Sequence, residues 1–411
     1  MQTNLASWAR SSEIGKEADE ILRRCVHCGF CLATCPTYQI LGDERDSPRG
    51  RIYLIKQVLE GVEPTQATQQ HLDRCLTCRN CETTCPSGVK YGELVDIGRE
   101  LVEERVKRPL KQRLIRSGLR RLLTSPLFGP ALKVGRMVRP LLPAVLQAKV
   151  PDARPAGELP VSSSHQRKVI MLAGCVQPAM MPSIDAATIR VLDAIGVGTH
   201  VAAGSGCCGA INFHLNAQDQ ALDQMRANID AWVGLLDSGQ AEAVVMNASG
   251  CGAMVNEYAH HLRHDAAYHA KALRVIDKVR DISELLEPHA ELLKEKMAEL
   301  PASVAFHPPC TLQHWQGLRH TNEKLLERLG FNLKPFNESH LCCGSAGTYS
   351  VTQPELSVSL RDRKLQNISH AQAECIVSSN IGCISHLQAG TQTPVRHWIE
   401  LVDQALTARR V

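Results

Sequence analysis

Apolar positions recur with a helical period twice in the first hundred residues. Ile52, Leu54, Ile55, Val58 and Leu59 fall mostly on one face of the stretch from Arg49 to Gly61, and Leu94, Ile97, Leu101 and Val102 form a stripe from Leu94 to Val106. Past residue 168 the pattern changes. Short continuous apolar runs, Lys168 to Leu172, Ala243 to Met246, Ser303 to Phe306 and Cys375 to Val377, read as buried strands and alternate with helical stretches such as Ala221 to Leu236. The fold class this predicts is α+β, with a small helical domain over 1–104, a linker over 105–165, and two related α/β lobes over 166–280 and 281–411.

Composition narrows the function. The 411 residues are 44% hydrophobic and 21% charged, so the chain can bury a core. Aromatics at 4% and a net charge of +4 argue against a nucleic-acid partner, which would need stacking rings or a strong basic surface. Met1 to Glu20 lacks the apolar core of a signal peptide, and no run of about 18 apolar residues suggests a membrane span. A reducing compartment is therefore expected, in which the 17 cysteines serve as metal ligands or redox groups rather than disulfides. The positive charge is local. Arg105 to Pro151 holds twelve Lys or Arg and no Asp or Glu, which leaves the other 364 residues at −8. Prolines 109, 126, 130, 140 and 143 interrupt it, so one long helix is not expected. The stretch reads as a linker, alone or doubling as a dock for an acidic partner or anionic lipid; the Pro- and Ser-rich Ala153 to His165 ends it.

Eight cysteines fall in two matching runs. Cys25-x2-Cys28-x2-Cys31-x3-Cys35-Pro36 is followed by Cys75-x2-Cys78-x2-Cys81-x3-Cys85-Pro86, the spacing of bacterial two-cluster ferredoxins. Three closely spaced thiolates on a tight loop hold three irons of a cubane, and the fourth ligand crosses over from the other run. Cys25, Cys28, Cys31 and Cys85 are thus expected to hold one [4Fe–4S] cluster, and Cys75, Cys78, Cys81 and Cys35 a second. Zinc ribbons also use Cys-x2-Cys pairs, but they need neither the third cysteine nor the Cys-Pro ending. His27, Arg79 and Asn80 within the loops read as loop polarity, and Asp73 and Glu82 as surface charge. Arg49-Gly50-Arg51 either caps a helix or meets the clusters.

The remaining cysteines form a duplication. Cys175 and Cys310 each follow an apolar run; Cys207-Cys208-Gly209 and Cys342-Cys343-Gly344 come after 31 intervening residues; Gly250-Cys251 and Gly382-Cys383 close each copy. Cys175, Cys207, Cys208 and Cys251, then Cys310, Cys342, Cys343 and Cys383, are candidate ligands for one or two further clusters. Cys375 lies outside the repeat and reads as a small buried hydrophobe.

This repeated pattern resembles the cysteine-rich (CCG) domain of heterodisulfide reductase B and D subunits. It departs from it where a terminal cysteine is replaced by Met254 in one copy and His386 in the other, which weakens the case for disulfide chemistry. Over essentially the whole chain, the sequence resembles the iron–sulfur subunits of bacterial glycolate oxidase (glycolate dehydrogenase). The residues that carry this likeness include Val26-His-Cys-Gly-Phe-Cys31, Gly50-Arg-Ile-Tyr-Leu-Ile-Lys56, Cys75-Leu-Thr-Cys-Arg-Asn-Cys81 and Leu341-Cys-Cys-Gly-Ser-Ala-Gly-Thr-Tyr349. The resemblance implies oxidation of glycolate to glyoxylate in a complex with two flavoprotein-type subunits. It implies a flavin on those partners, electrons passing towards a quinone or other membrane acceptor, and a cytoplasmic location peripheral to the bacterial inner membrane. Lactate-utilisation and anaerobic glycerol-3-phosphate dehydrogenase subunits share the layout. No Gly-x-Gly-x-x-Gly unit or catalytic triad is present, so no catalytic residue is assigned and the chain is not expected to oxidise substrate alone. The alternatives are an electron-transfer subunit of a related lactate or glycerol-3-phosphate dehydrogenase, a heterodisulfide-reductase-like enzyme and a redox-sensing scaffold.

Overall fold

The computed structural model describes residues 1–141, 152–160, 165–298, 300, 301 and 303–408. The part of the basic stretch from 142 to 151, with Pro143, and the 161–164 part of the expected boundary lie outside the described residues. The chain forms two compact units. One comprises Met1–Ser117 and His340–Lys364, the other Gly118–Ser339 and Leu365–Val411.

The first unit is helical. Its core is built by Leu22, Ile55, Leu59, Leu72, Leu94 and Val95, each at most 1% exposed. The helix Pro48–Leu59 starts where it does because the Ser47 side chain accepts from the Gly50 N–H and Pro48 sits in the first turn, where no N–H is needed. The helix Tyr91–Arg105 crosses it at Gly98, where a Cβ would stand 2.5 Å from Ile55 Cγ1. In both helices the buried residues include those of the apolar stripe, except Leu54, which is only half-buried. The basic stretch contains two helices, Leu110–Leu123 and Phe128–Val138, with Pro126 between them.

The second unit holds two parallel sheets. β1 (Arg167–Met171), β2 (Val197–His200), β3 (Val244–Met246) and β4 (Val279–Asp281) lie in the order β2-β1-β3-β4. β5 (Val304–His307), β6 (Cys375–Ser378) and β7 (Val395–His397) lie in that order. β3, β5 and β6 are buried at every position, as strands covered by helices on both faces must be. The α+β class read from the pattern is the architecture observed: a helical dicluster domain, then two α/β regions.

One buried acid makes this unit sensitive to pH. Asp281 Oδ1 accepts from Ser283 N at 2.9 Å and Ser283 Oγ at 2.6 Å, and Glu284 returns a bond to the Asp281 N–H. Its Oδ2 meets no partner among the described residues. Burial pushes the carboxyl up to about 6, against the pull of the Ser283 bonds. Between the ordinary aspartate range and about 6 the folded state therefore holds a proton that the unfolded chain has released. Stability is greatest below that window and falls as pH rises through it, by about 3 kcal/mol for a shift of this size. Asp281→Asn is expected to flatten this slope in urea unfolding measured from pH 4 to pH 7.

Candidate metal centres

The two cysteine runs fold into loops of the same shape. His27 and Gly29 flank Cys28 with φ of 54° and 85°, and Thr77 and Arg79 flank Cys78 with φ of 50° and 57°. Left-handed backbone on three non-glycine residues costs of order 1–3 kcal/mol each and persists only where the surroundings enforce it. It turns successive thiols to the inside of each loop. The third cysteine then lies in a short helical turn, Phe30–Leu32 in one run and Asn80–Thr84 in the other, and Pro36 starts the helix after Cys35.

Two cavities result. One is lined by Cys25, Cys28, Cys31, Cys85 and Cys81; the other by Cys35, Cys75, Cys78 and Cys81. The fourth cysteine of each run faces the cavity of the other. Burial pushes Cys31 up to about 11 and raises Cys25, Cys35 and Cys81. The thiols also repel across the runs, Cys85 acting on Cys25 and Cys78 on Cys35. Thiols crowded this way release their protons to solvent when a cation binds the thiolates, and iron is the cation that this donor set and spacing suit.

The polar residues near the runs have defined places. Arg49 lines the first cavity and Arg51 the second, which answers the open question about Arg49-Gly50-Arg51. Asn80 donates to the carbonyls of Thr34 and His340. His27 and Arg79 set the loop backbone, and Arg79 lines the second cavity. Arg79 and Asn80 thus do more than supply loop polarity. Asp73 and Glu82 are not surface charge. Asp73 receives Arg108 at 2.5 and 3.0 Å and Arg116 at 3.0 Å, while Glu82 accepts from the Gly92 N–H. Burial works against ionised Asp73, but these arginines outweigh it and hold its carboxyl below the usual range. The first arginines of the basic stretch thus anchor it to the helical unit.

In the second unit each cysteine of the first copy follows the carboxyl end of a strand, the usual position of ligand sites in parallel sheets. Cys175 follows β1, Cys207-Cys208 follows β2, and Cys251 lies in the first turn of the helix Ser249–Asn256 after β3. Their thiols meet: Cys207 hydrogen-bonds Cys175 and Cys208, and Cys208 also reaches Cys251. The bonds from Cys175 and Cys208 pull the Cys207 thiol down, and the bond to Cys207 together with burial raises Cys175. A buried polar brace fixes the loop. Asn228 donates to the Cys207 carbonyl at 2.9 Å and Tyr258 to the Cys208 carbonyl at 2.9 Å, while Asn228 accepts from the Gly206 N–H. Gly209 has φ +94°, and a Cβ there would stand 3.1 Å from the Ala221 carbonyl oxygen.

The second copy is divided between the units. Cys310 follows β5, and Cys383 lies in the first turn of the helix Ile381–Gln388 after β6, both in the second unit. Cys342-Cys343-Gly344 belongs to the first, where a Cβ on Gly344 would stand 2.5 Å from the Ser357 carbonyl oxygen and Ser357 Oγ donates to the Gly344 carbonyl. Cys375 is buried within β6. Met254 is part of the apolar core.

Residues 21–89 match the family described as 4Fe-4S dicluster domain. Residues 169–256 and 304–388 match the one described as Cysteine-rich domain. The chain is 53% identical to the glycolate oxidase iron-sulfur subunit of Escherichia coli (strain K12), with 99% of both chains covered. It belongs to the family of glycolate oxidase iron–sulfur subunits. The probable glycolate oxidase iron-sulfur subunit of Bacillus subtilis (strain 168) is 30% identical, with 90% of this chain and 89% of that one covered. Lactate utilization protein A of Geobacillus thermodenitrificans (strain NG80-2) is 24% identical, and the match spans 57% of this chain and 98% of that one. The dicluster match contains both cysteine runs, and membership of this family makes [4Fe–4S] clusters the cofactors and the chain a component of an oxidoreductase complex. Among the described residues no helix is long and apolar enough to cross a membrane.

Proposed function

We propose that this chain is the electron-transfer subunit of a glycolate dehydrogenase complex, carrying electrons from a flavin on partner subunits towards the quinone pool. The observation that carries the reading is the pair of thiol-lined cavities, each completed by a cysteine of the opposite run, in a chain 53% identical over nearly its full length to a glycolate oxidase iron-sulfur subunit. Cys25, Cys28, Cys31 and Cys85 hold one [4Fe–4S] cluster, and Cys35, Cys75, Cys78 and Cys81 the other. Cys175, Cys207, Cys208 and Cys251 are candidate ligands of a further cluster, with Cys310, Cys342, Cys343 and Cys383 as the equivalent set in the second copy. Bound clusters take up and release single electrons, which suits a chain that divides the electron pair delivered by a flavin. The protein's share of the work is to fix the thiols, exclude water from the second site and set the potentials through charge and hydrogen bonds. Two flavoprotein-type partners, a peripheral place on the cytoplasmic face of the inner membrane and a quinone acceptor complete this reading.

The test is anaerobic reconstitution with the partner flavoproteins. Iron and acid-labile sulfide of about eight each per chain are expected from the two ferredoxin-type sites, and more if the cysteine-rich regions are loaded. Glycolate should bleach the cluster absorbance only when the partner subunits are present. Stoichiometric zinc with little iron, or bleaching by lactate or glycerol 3-phosphate but not by glycolate, would overturn it.

A further inference from the structure

The two cavities differ in the charge placed against them. Arg51 reaches the second from the helix Pro48–Leu59 and is 1% exposed. Its Nε donates to the His71 carbonyl at 2.7 Å, and both Nη atoms donate to Thr37 Oγ1 at 3.2 Å. That hydroxyl lies 3.3 Å from Cys35 Sγ, so the guanidinium stands one atom removed from a cluster thiol. Asp46, fully buried, faces two guanidiniums, with Arg51 at 3.3 Å and Arg74 at 2.9 Å. One carboxylate against two arginines leaves a surplus positive charge, and of the two it is Arg51 that water does not reach, Arg74 being 24% exposed. The other arginines nearby are each matched by a carboxylate, Arg79 by Glu82 and Arg99 by Asp96, both at 3.9 Å. Tyr91 adds an O–H donor to Cys75 Sγ at 3.5 Å.

The first cavity is arranged otherwise. Its arginine, Arg49, is one third exposed and already paired with Glu44 at 2.6 Å. The Met1 ammonium bonds the Cys25 carbonyl at 2.7 Å from a partly exposed position. Water and salt screen charges placed there, whereas they screen a buried guanidinium much less. Cys28, Val26 and Phe30 are exposed at the rim, so the site itself is also wetter.

Reduction adds a negative charge to a cluster, and charge, hydrogen bonding and solvent exposure set its potential. We propose that Arg51 is a tuning residue whose buried charge raises the reduction potential of the cluster held by Cys35, Cys75, Cys78 and Cys81 above that of its neighbour, so that an electron entering the pair settles there. The inference rests on the ligand assignment given under the proposed function. It gives the pair a direction. The favoured site is the one beside the Cys342-Cys343-Gly344 segment, since Tyr349 donates to the Arg74 carbonyl at 3.0 Å and Asn80 to the His340 carbonyl at 3.2 Å.

The test is an anaerobic redox titration of the full chain, loaded with its clusters and followed by electron paramagnetic resonance. The second cluster's signal is identified as the one lost in Cys78→Ala. Arg51→Met leaves Asp46 paired with Arg74 and removes the surplus charge. It should lower the midpoint of that signal alone, by at least the ~59 mV that corresponds to a tenfold change in a one-electron equilibrium. Asp46→Asn keeps both arginines and the shape of the side chain, and it should raise the same midpoint. Should Arg51→Met fail to load, Asp46→Asn decides the sign by itself. Two loaded clusters whose midpoints do not respond, or a shift confined to the first cluster, would overturn the proposal. A wild-type chain without two ferredoxin-type signals would instead overturn the ligand assignment.

Discussion

Cys35→Ala is expected to remove the cluster of the second cysteine run, and Cys85→Ala that of the first. Each variant should lose about four of the eight irons and four of the eight sulfides attributed to this unit, and each should keep the signal that the other loses. The reasoning is geometric. Cys35 is buried in the cavity that contains Cys75, Cys78 and Cys81, whereas Cys85 faces Cys25, Cys28 and Cys31. Local ligation, with each run holding its own four thiols, makes the reverse forecast, and whether the signal lost in Cys35→Ala is the one lost in Cys78→Ala decides between the two. A collapse of both clusters in either variant would show that the sites assemble only together. Cys81 lines both cavities, so Cys81→Ala should injure the second cluster directly and weaken the packing of the first.

The residues whose placement was legible in the sequence are those fixed by spacing. Two cysteines between the same number of residues on a tight loop must present their thiols together, whatever surrounds them, and the crossing of Cys35 and Cys85 follows from the same spacing. Strand and helix alternation was equally local: a short apolar run between polar stretches has to be covered on both faces, and β3, β5 and β6 are along their whole length, β1 over Val169–Met171. Roles that depend on burial by distant segments were harder to read. Asp73 and Glu82 look like ordinary surface acids, because nothing in their neighbourhood announces Arg108 thirty-five positions on or the Gly92 N–H. Asn228 and Tyr258 give no sign that they brace the carbonyls of Cys207 and Cys208 from other helices.

Arg51 is the instructive case, since a signal was there. It lies four positions before Ile55 and therefore on the same face as the apolar stripe of its helix, where a charge is expensive unless it is paired. A buried arginine on a helix that links the two cysteine runs points to a counter-charge, and Asp46 is the buried acid that meets it. The membership of residues 340–364 in the helical unit had no such signal. Their sequence continues the repeat, and it is contacts such as those made by Tyr349 and Asn80 that place them with the cluster-bearing unit.

Gly50→Ala is expected to destabilise the chain strongly and to cost it the second cluster. Gly50 stands between the two arginines that line the two cavities, in the first turn of the helix Pro48–Leu59. A Cβ there would stand 1.9 Å from the Glu44 carbonyl oxygen and 3.0 Å from Arg45 Cα. Both are backbone atoms of the short turn Glu44–Asp46, so no side-chain rotation relieves the overlap. The helix start has to move away from that turn, and Asp46 is the residue on it that holds Arg51 and Arg74. Overpacking commonly costs 1–3 kcal/mol, and a clash with backbone belongs at or above the top of that range, about 3 kcal/mol or more. The better helix propensity of alanine recovers only about 1 kcal/mol. Loss of the second cluster, with its cradle displaced, should accompany the drop in stability. The same substitution at Gly234 supplies the contrast. That glycine is exposed in the helix Gln218–Asp237, and a Cβ would meet nothing within 4 Å. Gly234→Ala should therefore stabilise the chain by up to about 1 kcal/mol and leave the iron content unchanged. Denaturant unfolding of the loaded protein, with iron measured on the same samples, reads both. Equal and small effects at the two positions would mean that the turn at 44–46 yields easily, and that the cradle around Arg51 is not held by it.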